Sequence, residues 1–253
     1  MRKRIYLVVA ALFALSANAH AAVPKPITEA VADASRPDKD TARDAGRKPA
    51  ETVAFAGVKP GQIVGELFPG RGYYTRILAK VVGPKGHVYA VTGEEILKQI
   101  PKAADAAKAI SADANYPNVS AIVEPVGQLK VPEKLDVVWT TQNYHDLHIE
   151  SLFGTKIDML KLNKSIYAAL KPGGIYFVLD HAAKPGSGTS DTEKLHRIDE
   201  ATVKKEVEAA GFKLEAESKI LRNPADNHEA SVFDDSIRGK TDQFLLRFRK
   251  PKS

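Results

Sequence analysis

The chemically versatile residues of this chain gather in two short stretches. Gln142-Asn143-Tyr144-His145-Asp146 follows one apolar run, and Asp180-His181 closes another. Imidazole titrates near neutrality, so His145 or His181 can serve as general base for a reacting group's proton, with Asp146 beside them as a third catalytic candidate. A single histidine reads as an ordinary hydrogen-bonded structural residue. Two His and two Asp leaving neighbouring apolar runs together carry the functional reading. His145-x-x-His148 also sets two imidazoles at helical spacing, with Asp180 and His181 as further donors. Two histidines without a clear third and fourth ligand are a weak metal signature, so no metal is expected. Among the 253 residues there is no cysteine, which excludes disulfides, thiolate zinc, iron–sulfur clusters and cysteine nucleophiles.

A third stretch has the composition of a ligand turn. Glu66-Leu67-Phe68-Pro69-Gly70-Arg71-Gly72 joins a short apolar run to a helical pattern. Glycines at such a junction let the backbone approach a ligand, and the helix start offers free N–H groups. A plain strand–helix turn has the same glycines; the placement between the first strand and its helix favours a binding turn. Tyr73 and Tyr74 follow directly. Aromatics at a helix start pack against the core or line the pocket, and Tyr74 is taken as lining it.

The elements that must hold these residues follow from periodicity. Strands are expected at 62–68, 87–92, 119–123, 135–141, 175–180, 212–220 and 243–248. Helices are expected at 49–56, 73–82, 94–114 with a kink at Pro101, 155–170 and 199–210. Ser190-Asp191-Thr192-Glu193 has the form of a capping box. Arg197 and Asp199 either reach over the pocket or start the next helix. Continuous apolar strands alternating with helices imply an α/β, three-layer, doubly wound and mostly parallel sheet, whose last two strands pair antiparallel at one edge. Ligands of such sheets sit at the carboxyl ends of the strands, which is where all three stretches fall. The polar connection 221–241 is long enough to be functional.

Residues 65–75 resemble the first motif of the class I S-adenosylmethionine-dependent methyltransferases, an acidic residue followed by a glycine turn. Gly86–Val91, Leu135–Trp139 and Leu170-Lys171-Pro172-Gly173-Gly174 resemble that family's second strand, fourth strand and turn into the fifth strand. The closing segments His196–Asp199, Val207–Phe212, Arg222–Asp226 and Ile237–Gln243 are similar to a group of exported bacterial proteins of the same family. The resemblance spans residues 53 to 248. It implies a seven-stranded, Rossmann-like methyltransferase sheet with an inserted antiparallel last strand, S-adenosylmethionine (SAM) as cofactor and a small-molecule methyl acceptor. Of the expected cofactor residues, Glu66, Gly70 and Gly72 carry over from that motif; Tyr74, Thr92 and Asn143 are added from their place beside the turn and at the strand ends. Phe68 stands where the family has its first glycine, and Thr92 where an acid holds the ribose, with Glu94 or Glu95 one turn later. The position of the family's third-strand acid falls near Pro125, with Glu124 adjacent.

Residues 1–21 stand apart. Arg2, Lys3 and Arg4 precede the eleven apolar residues Ile5–Leu15 and the small-residue site Ala19-His20-Ala21. This is the pattern of a secretory signal peptide with cleavage after Ala21, giving a periplasmic or secreted protein; an eleven-residue helix rises only about 16 Å, too short to span a bilayer. The expected organisation is a signal peptide at 1–21, an N-terminal arm at 22–48 and a methyltransferase-like domain at 49–253. The net charge of +6 falls to +3 without the three basic residues of that segment. Arg247, Arg249, Lys250 and Lys252 near the end account for four more, so the body is close to −1. That balance speaks against a nucleic-acid partner, and no further segment is long enough for stable membrane insertion. Oligomeric state is left open by the pattern. Export away from the compartment that makes SAM raises a second expectation, an exported binding protein that kept the fold and lost or changed the cofactor.

Overall fold

A computed structural model describes residues 22–252. The signal-peptide expectation therefore lies outside the described residues. Seven strands, β1 (Ile63–Leu67), β2 (His87–Gly93), β3 (Val119–Glu124), β4 (Leu135–Thr141), β5 (Leu170–His181), β6 (Lys213–Ser218) and β7 (Gln243–Arg249), form one sheet in the order β3-β2-β1-β4-β5-β7-β6. The first five are mutually parallel. β7 inserts between β5 and β6 and runs antiparallel to both. This is the three-layer α/β architecture expected, with the last strand as the reversed one.

Eleven helices are described: α1 (Lys25–Val31), α2 (Asp38–Thr41), α3 (Asp44–Arg47), α4 (Pro49–Ala56), α5 (Tyr73–Val82), α6 (Glu94–Gln99), α7 (Asp105–Ser111), α8 (Glu150–Phe153), α9 (Met159–Ala169), α10 (Thr192–Leu195) and α11 (Glu200–Ala209). Two apolar cores flank the sheet. One joins α1, α4, α5 and α7 to the sheet through Ile27, Val53, Ile77, Ile110, Trp139 and Phe177. The other joins α8, α9 and α11 through Phe153, Leu162, Ile166, Val203, Val207 and Tyr176. Successive β4 residues alternate between them, Val137 and Trp139 on one side and Val138 on the other, as the two-residue period of a strand requires.

Several expected boundaries shift for local reasons. The stretch 94–114 is two short helices rather than one kinked helix, because Pro101 brings no N–H to continue the first. The helix expected from Thr155 begins at Met159, where the Asp158 carboxylate caps it by accepting the Lys161 N–H at 2.9 Å. β5 starts at Leu170, five residues early, because Leu170 already pairs with Leu135 across an irregularity in the β4–β5 ladder. Ser190–Glu193 does not form a capping box: α10 starts after Asp191 without a side-chain cap, and Glu193 accepts from Ser151 instead.

Strand order reverses between β1 and β4, and a cleft opens beyond their carboxyl ends. Gly65 leaves room for the Leu135 side chain, whose Cδ1 a Cβ there would meet at 2.7 Å. No helix among the described residues is long and apolar enough to cross a membrane.

Candidate functional site

The cleft above β1, β2 and β4 has a volume of about 910 Å³. The glycine turn forms one wall. Gly70 and Gly72 take left-handed backbone angles, φ +57° and +77°. A Cβ on Gly70 would meet no atom within 4 Å, so the turn presents bare backbone to open space. Gly72 is different: its Cβ would fall 2.0 Å from Ile110, so this glycine is needed for packing under α5. Phe68 also sits in the left-handed region at φ +50°, a conformation rare for a bulky side chain and held here by its surroundings. Its ring packs edge-on to Phe153 at 5.8 Å.

Three polar groups line the cleft with hydrogen-bonding capacity to spare. Thr92 Oγ1 and Asn143 Oδ1 are buried without partners. The Asn143 amide donates to the Leu67 and Phe68 carbonyls, both at 3.1 Å, which fixes the end of β1 and aims its oxygen away. Glu66 is fully buried, accepts a hydrogen bond from Thr75, and is pushed up to about 8 by desolvation, so it is largely protonated at neutral pH. Tyr74 is buried, tilts against Trp139 at 4.9 Å, and has its hydroxyl raised to about 12 by burial. Neither Glu94 nor Glu95 reaches the cleft: Glu94 is exposed and Glu95 accepts the Val126 N–H. Glu124 and Pro125 line a small cavity beside Phe68 rather than the main cleft.

The remaining wall is cationic. Arg43 and Arg47 come from the helices ahead of the sheet, and Arg238 from the connection before β7. Arg47 lies over both Tyr73 and Tyr74, with its guanidinium carbon 4.7 Å and 5.8 Å from the ring centres, and donates to the Gln142 side chain. Burial lowers its affinity for its proton without removing the charge. These three arginines also line an adjoining pocket of about 390 Å³, which contains His181, Phe233 and Thr241 and no carboxylate. The pattern of apolar runs gives no hint of these arginines, because they lie in segments remote from the strand ends.

The histidine cluster stands beside the cleft and reaches it through Asp146. Asp180, at the end of β5, is fully buried and accepts from the backbone N–H groups of His145 and His181 and from His145 Nδ1, at 2.8, 2.7 and 2.7 Å. Burial alone would depress His145; the Asp180 charge and its bonds to Asp146 and Asp180 outweigh that and raise it to about 10. Asp146 loses solvation too, yet the bonds from His145 and His196 hold it down at about 2. His181 is depressed to about 3, chiefly by burial, with Nδ1 2.7 Å from Thr241 Oγ1. The expectation that either imidazole could be a base therefore divides. At neutral pH His145 is a cation held between two carboxylates, and only His181 has a free lone pair. His148 turns away to Glu206 at 3.2 Å, so the His145-x-x-His148 pair does not converge. His196, which no spacing singled out, takes its place, with Nδ1 3.3 Å from His145 Nε2.

Arg197 and Asp199 do not reach over the pocket. Arg197 is buried against Asp226 in a two-pronged ion pair, at 2.8 and 3.1 Å, and Asp199 caps α11. Both organise the chain behind the site.

No family model matches this chain, and no curated protein matches it. Solved structures do. A SAM-dependent methyltransferase from Aquifex aeolicus superposes with a TM-score of 0.57 at 17% identity, covering 82% of this chain and 98% of the other. An arsenic(III) SAM methyltransferase from Chlamydomonas reinhardtii gives 0.53 at 19%, covering 91% and 75%. Fibrillarin from Aeropyrum pernix, natively bound to SAM, gives 0.51 at 12%, covering 81% and 76%. The chain has the class I methyltransferase fold. At these identities the likeness is one of architecture.

Proposed function

We propose that this chain is a SAM-dependent methyltransferase acting on a small molecule that bears an anionic group. The observation that carries the cofactor assignment is the bare turn at Gly70, opening onto a cleft at the point where strand order reverses, the ligand position of open α/β sheets. The residues fit the group. Asn143 Oδ1 and Glu66 are suited to an ammonium, Thr92 Oγ1 to a hydroxyl, and Gly70 to close backbone approach. Tyr74 closes one wall by packing. When bound, the cofactor supplies a methyl group activated on a sulfonium sulfur.

Methyl transfer needs alignment of nucleophile and methyl carbon more than covalent help. Arg43, Arg47 and Arg238 suit a carboxylate or phosphate in the smaller pocket and so orient the acceptor. His181, neutral and in the same pocket, offers a hydrogen-bond partner to the nucleophile, and its depressed pKa makes it a weak base. His145 and Asp146 act as a fixed charged pair beside the cleft.

Calorimetric titration of the protein with SAM and S-adenosylhomocysteine should show one site per chain. No binding at millimolar ligand overturns the assignment and leaves a binding protein with a changed ligand. Export is part of the same reading, supported by the residues 2–21 pattern. Its check is the N-terminal sequence of the mature protein, expected to begin at Ala22.

A further inference from the structure

The most unusual feature of the site is a triangle of converging donor atoms. His145 Nε2 lies 3.0 Å from Asp146 Oδ1 and 3.3 Å from His196 Nδ1, and His196 Nδ1 lies 3.4 Å from Asp146 Oδ1. The Asp180 carboxylate already receives two backbone N–H groups, so it acts as acceptor and the proton between it and His145 belongs to Nδ1. Nε2 is then the ring atom that His145 turns toward Asp146 Oδ1 and His196 Nδ1. A proton on Nε2 joins these atoms when no metal is bound; a metal ion takes that proton's place, and its binding releases the proton.

We propose that His145, Asp146 and His196 form a binding site for one divalent transition-metal ion, with Asp180 as the positioning residue behind His145. Four observations agree. The three donors come from two separate segments, the turn after β4 and the end of α10, and still fall within 4.8 Å of one another. In a tetrahedral site with bonds of about 2.0–2.1 Å, ligand atoms lie about 3.3–3.4 Å apart, which is the size of this triangle. A carboxylate that fixes the ring orientation through the other nitrogen is the usual partner of a metal-bound histidine. His196 holds φ +53°, an uncommon conformation for a non-glycine residue, and this is the residue that completes the triangle. Two imidazoles and one carboxylate suit zinc, cobalt or iron(II) and disfavour magnesium and calcium.

Asp146 lines the cleft, so the ion would lie at the cleft's edge with a fourth position left for a further ligand. That position accepts water or a donor atom of a bound small molecule. The inference is independent of SAM binding, and its tests do not use turnover.

Untagged protein is stripped with chelator and dialysed against Co²⁺ or Zn²⁺, each used alone. Expected is one ion per chain, with the visible absorption of low-coordinate Co²⁺. His196→Ala and Asp146→Asn should each lower affinity at least about 10-fold and lose that spectrum; both side chains are partly exposed, so the fold persists, as circular dichroism will confirm. His148→Ala should bind as the parent does. Asp180→Asn should weaken binding about 10–100-fold and leave the stoichiometry at one. Failure of the parent protein to bind either ion at 100-fold excess overturns the site. Unchanged binding in both His196→Ala and Asp146→Asn overturns it equally, since the ion would then lie elsewhere.

Discussion

Glu66 shows what a single residue in this site contributes. It is an acid kept neutral by burial, and its pKa rises from 4.5 to about 8. Between those values the unfolded chain has lost the proton and the folded chain has kept it. The folded state thus binds more protons, and stability falls as pH rises through this window and levels off above about 8. Glu66→Gln keeps an acceptor for Thr75 and removes the titration. Denaturant unfolding at pH 5 and pH 8 should give the parent a loss on going to pH 8 that shrinks by at least about 1 kcal/mol in the variant. Equal losses in both would mean that Glu66 is already ionised in the folded protein. The two glycines separate function from packing in the same way. Gly70→Val points a side chain into the open cleft, so SAM affinity should fall at least 10-fold for a modest loss of stability, about 1–2 kcal/mol from its left-handed backbone. Gly72→Val collides with Ile110, so its main effect should be on the unfolding midpoint. A Gly70 variant that binds normally would move the ligand away from this turn.

At the scale of elements, α1 belongs structurally to the sheet's first core, and polar contacts of Asp40 and Asp44 tie α2 and α3 to α5. Ile27 and Ala30 are buried against α5, and Asp44 ties Arg36 to the Tyr73 hydroxyl. Ile27→Ala should therefore cost about 2–4 kcal/mol in urea unfolding, as for any buried core side chain; a cost below 0.5 would mean these helices ride loosely. Arg197→Met leaves Asp226 without its guanidinium and should cost about 3–5 kcal/mol, loosening the connection that carries Arg238; limited proteolysis within 222–240 reads the loosening. These segments mark where the sequence stops being legible. The helix Tyr73–Val82 and the strand Leu135–Thr141 fall at the boundaries their residues imply, because each is bounded by its own local signal. Gly70, Asn143, His145 and His181 are legible as a group because all follow strand ends. Arg43, Arg47, Arg238 and His196 are not, because each reaches the site through tertiary packing that no local pattern encodes. His148 misleads for the converse reason: it is near His145 in sequence, but the 3₁₀ turn His145–His148 directs it to Glu206.

For the molecule as a whole, the charge is informative through its distribution. The body carries almost no net charge, yet Lys39, Arg43, Arg47, Arg71, Lys102 and Arg238 line one cleft against the ionisable Asp40, Asp146 and a protonated Glu66. A concave wall of one sign between low-dielectric faces focuses the field inward. Such a cleft opposes a cationic ligand, and SAM is cationic overall, so the protein gains from an anionic acceptor that neutralises the wall beside it. Binding of a small carboxylate or phosphate ester should then strengthen SAM binding, and SAM should strengthen binding of the anion by the same factor, because the coupling is reciprocal. The coupling should weaken as salt rises from 0.01 M to 1 M, where the screening length shrinks from about 30 Å to about 3 Å. Arg238→Gln, which takes one charge from the wall without touching the glycine turn, should lower anion affinity about 10-fold and reduce the coupling. Titrations in which SAM and the anion bind independently at low salt, or in which Arg238→Gln leaves anion affinity unchanged, would show that the cationic wall does not select the acceptor.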